Sequence, residues 1–216
     1  MNNKQIAIFG GTFDPVHIGH FQMVNYLLGL IFVDEVWILP SYFPPHKDYE
    51  IINSFEHRVE MLKLVFNNLK YVYISTFEKE YYKKNNKKTF TFEILEEFTK
   101  KYLSYNFNFV IGFDSIKNIY TWHKYKELLE KYHLYIFMRN DDSCKSYKEC
   151  KNLIDLIYAD LNISPKYNLF DTKISNISSS SIRDLFKNIE KNKIELYNYL
   201  NKDVYKYILN NNLYGT

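Results

Sequence analysis

A doubly wound parallel α/β sheet is the fold that this 216-residue sequence predicts, on three observations. Short apolar runs rich in Ile, Val, Phe and Tyr recur along the chain, the pattern of strands buried on both faces of a parallel sheet. Stretches with helical apolar spacing separate those runs, so strand and helix alternate. Several runs end in glycine, proline or polar turns, where an open α/β sheet gathers its ligand loops. The length suffices for one substantial core. The expected organisation is one domain over 1–216, with a helical C-terminal subregion over about 177–216.

The elements follow in order. Ile6-Ala7-Ile8-Phe9 reads as the first strand and breaks at Gly10-Gly11, where the missing Cβ lets backbone approach a ligand closely. Asp14-Pro15 is a turn signal, and from about Val16 the apolar spacing becomes helical through Ile18, Phe21, Val24, Leu27 and Leu28. His17 and His20 are three apart, so they share one side of the first helical turn. The free N–H groups and positive dipole end of such a turn favour phosphate.

Residues 35–40 read as strand two, stopped by Pro40, with a loop over 41–48 beyond its carboxyl end. Ser54 is the expected N-cap of a helix to about residue 69, and 71–74 reads as strand three. Residues 78–88 are Lys- and Asn-rich without clear periodicity and are expected to form a solvated loop. A helix from Thr89 or Thr91 to about 103 precedes strand four at 107–111, which ends in Gly112-Phe113-Asp114-Ser115. A short helix, Thr121-Trp122-His123, and a helix near 126–131 lead to strand five at 134–138. A polar loop over 140–146, a helix over 147–161 and an edge strand at 167–170 follow. The run Ile177-Ser178-Ser179-Ser180-Ser181-Ile182-Arg183 opens a further helix, and two more are expected over about 194–209.

Composition narrows the function. A net charge of +3 suits an anionic small-molecule substrate and does not point to a surface that coats nucleic acid. Cys144 and Cys150, with five residues between them, form neither a disulfide framework nor a CxxC motif, which fits a reducing compartment. No run reaches 18 apolar residues and the first strand starts almost at once, so a membrane span or secretory leader is not expected, and the cytoplasm is the default location. Two better-known phosphate loops, G-x-x-x-x-G-K-[ST] and G-x-G-x-x-G, are absent. The His pair could form half a zinc site, but no Cys or carboxylate stands at helical spacing to complete it, so no bound metal is expected. In the serine run, the spacing puts Ser180 and Arg183 on one helix face, where Arg183 can fork onto phosphate oxygens.

What remains is G-G-T-F-D-P-x-H-x-G-H over residues 10–20. It resembles the signature of nucleotidyltransferases with an H-x-G-H loop, and its spelling is most similar to bacterial-type nicotinate-nucleotide adenylyltransferases. Later stretches match that family in chain order: Pro44-Pro45-His46-Lys47, Thr89-Phe90-Thr91, Ile111-Gly112-Phe113-Asp114-Ser115, Thr121-Trp122-His123, and Ile177 through Arg183.

The resemblance implies a Rossmann-like fold and an enzyme of NAD biosynthesis. Such an enzyme joins ATP, with its Mg²⁺, to nicotinate mononucleotide, giving deamido-NAD and pyrophosphate. It implies His17, His20 and Arg183 as catalytic residues, with Gly10, Gly11, Thr12, Phe13, Asp114, Arg139, Ser178 and Ser180 also on ATP. It implies Asp14, His46, Lys47, Arg58, Thr91, Trp122 and His123 on the mononucleotide. The chain departs from the family pattern with Ser180 for Thr, Phe90 for Tyr, and Asn140-Asp141 for Pro-Gly after Arg139.

Other acceptors on the same fold are nicotinamide mononucleotide or phosphopantetheine, and CTP could replace ATP as donor. A non-catalytic nucleotide sensor is the more distant alternative. A class I synthetase fragment should also carry a K-M-S-K-S-type segment, which is missing. Neither nucleic acid nor membrane is an expected partner, and the sequence leaves the oligomeric state open.

Overall fold

Strands buried on both faces need apolar side chains at every position, and the first strand meets that demand. Ile6, Ala7 and Ile8 are all fully buried. Ala7 and Phe9 enter one core, Ile6 and Ile8 the opposite one. The computed structural model describes residues 3–43, 53–138 and 146–216. It contains a six-stranded sheet built from β1 (Lys4–Gly11), β2 (Glu35–Pro40), β3 (Val72–Ile74), β4 (Tyr105–Gly112), β5 (His133–Phe137) and β6 (Tyr167–Phe170). The spatial order is β3-β2-β1-β4-β5-β6, every pairing parallel. The doubly wound expectation holds, with β6 at one edge. The order reverses between β1 and β4, where Ile8 pairs with Phe109 and Phe9 with Val110. That switch point opens a crevice at the carboxyl ends of both strands.

Helices cover both faces. On one side lie α1 (Ile18–Leu28), α2 (Phe55–Phe66) and, among the described residues from 179 onward, α8 (Ser179–Phe186), α9 (Ile189–Tyr199) and α10 (Lys202–Asn210). On the other lie α3 (Phe77–Asn85), α4 (Thr91–Lys101), α5 (Phe113–Lys117), α6 (Tyr125–Lys131) and α7 (Tyr147–Asp160). Ser54 caps α2 as the sequence suggests, its Oγ accepting from the His57 N–H at 3.2 Å. Cys144 lies outside the described residues. Cys150, buried on α7, is disulfide-bonded, against the reduced state that the number and spacing of the cysteines suggest.

Helix α3 overturns the expectation of a solvated loop over 78–88. Phe77 and Tyr81, four apart, pack toward the core, and the Phe77 ring lies 4.6 Å from that of Phe98. Glu78 and Glu80 occupy the first turn, Lys83 and Lys84 the last, which complements the helix dipole. Asn86 then ends the helix in the left-handed conformation. Tertiary packing and end charges, with a narrow apolar stripe, make this helix.

Candidate active site

At the carboxyl end of β1 the backbone enters a tight loop. A Cβ at Gly10 would lie 3.3 Å from the Phe109 ring, and one at Gly11 2.9 Å from the ring of Phe13. Phe13 itself is buried at φ 53°, left-handed backbone that a bulky residue adopts only when its surroundings hold it there. His17 is the N-cap of α1, and its backbone N–H donates to His20 Nδ1 at 3.2 Å. With Nδ1 accepting, the neutral His20 ring carries its proton on Nε2 and presents a donor. The two imidazoles lie 3.7 Å apart, and Phe13 sits edge-on to His20 at 4.9 Å.

Two cavities meet over this loop. One, of about 330 Å³, is lined by Phe13, His17, His20, Asp114, Ser178, Ser179 and Ser180. The other, of about 280 Å³, is lined by Glu78, Thr89, Phe90, Thr91, Trp122 and His123. Gly10, Gly11, Thr12, Phe109, Ser115 and Trp122 border both. The first is rich in hydroxyls and imidazole at two helix N-termini, a setting for anions. The second is aromatic: Trp122 stands 6.0 Å from Phe109 at 71°, and His123 lies 4.5 Å from Phe90 at 32°.

The C-terminal helices reach the same place. Ser178 caps α8, its Oγ accepting from the Ser181 N–H at 3.0 Å. Ser179 Oγ donates to the Pro15 carbonyl at 2.9 Å. Arg183 donates to the Asp14 carbonyl at 2.7 Å and to Ser180 Oγ at 3.1 Å, which sets its guanidinium beside the serine-lined cavity.

Asp14 and Arg58, expected against the mononucleotide, are buried at 0% and 1% exposure, and neither lines either of these two cavities. Asp14 accepts from the Asn53 backbone and side chain, at 3.2 and 3.1 Å, and from the Tyr214 hydroxyl at 2.7 Å. Arg58 donates to the Thr12 carbonyl at 2.8 Å and to the Asn53 carbonyl at 3.2 Å. Burial lowers the Arg58 pKa, opposed by the charges of Asp14 and Glu78. These groups hold the loop from behind, because its backbone carbonyls would otherwise be buried without donors. His46, Lys47 and Arg139 lie outside the described residues.

Glu78 lines the aromatic cavity, and no sequence pattern singles it out. It is 7% exposed, takes a 2.5 Å hydrogen bond from Thr89 Oγ1, and accepts from the Tyr42 backbone. Burial pushes its carboxyl up to about 7, against the pull of those donors and of Arg58. The flanking charges concealed it. Among the described residues, no group of three or more His, Cys, Asp or Glu could hold a metal ion, and no helix is long and apolar enough to cross a membrane.

The site thus sets a glycine-bearing strand end and a histidine-bearing helix N-terminus at the switch point of a parallel sheet, an arrangement suited to phosphate. A family model described as cytidylyltransferase-like matches residues 8–185, and the chain belongs to that family. A probable nicotinate-nucleotide adenylyltransferase of Fusobacterium nucleatum is 35% identical over 209 residues, 94% of this chain and 96% of its own. One from Caldicellulosiruptor bescii is 35% identical over 181 residues, 84% and 86% of the two chains. Within the family, this chain groups with the nicotinate-nucleotide adenylyltransferases. The fold is likewise that of a Plasmodium falciparum nicotinic acid mononucleotide adenylyltransferase solved in complex with NaAD. That structure matches with a TM-score of 0.80 at 23% identity, over 98% of this chain and 97% of the other.

Proposed function

We propose that this enzyme transfers the adenylyl group of Mg-ATP to the phosphate of nicotinate mononucleotide, releasing pyrophosphate and forming deamido-NAD. The observation that carries the reading is the pair of cavities meeting at Gly10-Gly11, one suited to phosphates and one to an aromatic base. A phosphate oxygen of the mononucleotide attacks the α-phosphorus of ATP. The bond from that phosphorus to the β-bridging oxygen breaks, and pyrophosphate leaves with the electron pair. The nucleophile is already anionic, so no residue need deprotonate it. The protein's work is to hold two polyanions in line and to neutralise growing charge.

His20 Nε2–H and the first N–H groups of α1 donate to the α-phosphoryl oxygens, with His17 beside them. Ser178, Ser180 and Arg183 receive the departing pyrophosphate, while Gly10, Gly11, Thr12, Phe13 and Asp114 border the nucleotide. Trp122, Thr91 and His123 take the pyridine ring and its carboxylate. Mg²⁺ arrives with the triphosphate as part of the substrate and lowers its charge. Asp14 and Arg58 act on the loop and leave contact with substrate to others. Both substrates are phosphorylated metabolites, in keeping with a cytoplasmic reaction.

The test is pyrophosphate release from purified protein with Mg-ATP and, in parallel, nicotinate mononucleotide, nicotinamide mononucleotide and phosphopantetheine. Release with the first alone supports the assignment. Equal release with the amide removes the carboxylate-reading role of the Trp122 segment. Release with none of them overturns the reading.

A further inference from the structure

The 3₁₀ turn Leu213–Gly215, beyond α10, folds back against the glycine loop some 200 positions earlier in the chain. Leu213 is buried in the core, and Tyr214 takes left-handed backbone, φ 62° and ψ 22°. A tyrosine there is held in place by its contacts. Its hydroxyl donates to Asp14 Oδ1 at 2.7 Å, and its ring stacks on Phe186 of α8 at 5.6 Å and 27°. Burial beside the Asp14 carboxylate raises the pKa of the phenol, which keeps the proton on its oxygen.

Asp14 is the hub of this contact. The Asn53 side chain and the Tyr214 hydroxyl both donate to Asp14 Oδ1, the Asn53 backbone N–H donates to Oδ2, and the Asp14 backbone carbonyl takes the Arg183 guanidinium. Three residues further on stands His17, the N-cap of α1. Tyr214 therefore touches both elements that flank the phosphate cavity: the loop through Asp14, and α8 through Phe186. We infer that Tyr214 is a positioning residue for adenylyl transfer, fixing the α1 N-terminus relative to Arg183 by its hydrogen bond to the Asp14 carboxylate. This rests on the proposed adenylyl transfer, since the phosphate site is defined by it. Tyr214 lines neither cavity, so its effect reaches substrate only through the groups it holds.

The test compares wild type, Tyr214→Phe, Asp14→Ala and the double variant, with kcat counted per active site by ATP-analogue titration. Tyr214→Phe keeps the ring on Phe186 and removes the hydrogen bond alone. A misplacement of about 1 Å can cost on the order of a hundredfold, so for the smaller shift that one lost hydrogen bond allows, a kcat about tenfold lower at unchanged KM for the mononucleotide is expected. The double variant should be no slower than Asp14→Ala, because Tyr214 acts through the acceptor that this substitution removes. An unchanged kcat in Tyr214→Phe, or independent multiplication of the two losses, overturns the inference. If Tyr214→Phe does not fold, Asn53→Ala removes a donor to the same carboxylate and is held to the same kcat loss at constant KM.

Hydrogen exchange separates failure of this inference from failure of the functional reading. If wild type is inactive with every acceptor, faster exchange at the amides of residues 12–17 in folded Tyr214→Phe still supports the tether. Unchanged exchange overturns it.

Discussion

Glu78 offers a stability prediction whose sign follows from its burial. In the folded chain its carboxyl is raised from 4.5 to about 7, chiefly because burial disfavours the charged form. The folded state therefore holds a proton that the unfolded chain has already released. That stabilising contribution is complete below about pH 4.5 and is lost as the pH climbs to about 7, beyond which the difference is constant. At about 1.4 kcal/mol per tenfold change in the proton equilibrium, the full loss is about 3 kcal/mol. Glu78→Gln keeps an acceptor for Thr89 Oγ1 and cannot ionise. Its stability relative to wild type should rise by about 3 kcal/mol between pH 4.5 and pH 8, with most of the change below pH 7. Urea unfolding of both proteins across that range measures it. A stability difference that stays constant with pH would refute the reasoning, because Glu78 would then titrate alike in both states.

Three further outcomes follow from the site. A Cβ at Gly19 would lie 3.1 Å from His17 Nδ1 and 3.2 Å from the Ser175 carbonyl oxygen. The carbonyl is backbone, so the imidazole must shift, and steady-state kinetics of Gly19→Ala should show kcat reduced about tenfold or more with the melting temperature little changed. His20→Ala removes a donor to the transferring phosphate and should lower kcat by roughly 10²–10³ while circular dichroism stays that of wild type. Trp122→Ala deletes the aromatic wall between the cavities and should raise KM for nicotinate mononucleotide about tenfold, the equivalent of roughly 1.4 kcal/mol, with a smaller effect on kcat.

Much of this was legible in the chain. The run into Gly10-Gly11 and the His17/His20 spacing lie within a few residues of one another, so local pattern alone specifies β1, the loop and the start of α1. The serines and Arg183 were legible for the same reason: a cap and a helix face are local properties. Helix α3 was hidden because its place is set by Phe77 and Tyr81 packing into the core, Phe77 against Phe98, contacts that a charged sequence window does not advertise. Asp14 and Arg58 were expected on the mononucleotide because the family resemblance implies it. The hydrogen bonds of Asp14 to Asn53 and Tyr214, and of Arg58 to Thr12, require partners 39 to 200 positions away, which only the fold brings near. Tyr214 carries no local signal at all.

The most direct measurement of the central claim is the fate of isotope in ATP labelled at the α-phosphorus. The purified protein is incubated with that ATP, Mg²⁺ and nicotinate mononucleotide, and the products are separated. Label appearing in the dinucleotide in step with unlabelled pyrophosphate, with none held on the protein, is the predicted result. Label lost as free AMP, label trapped covalently on the enzyme, or a dinucleotide without label would contradict direct transfer at the His17–His20 site.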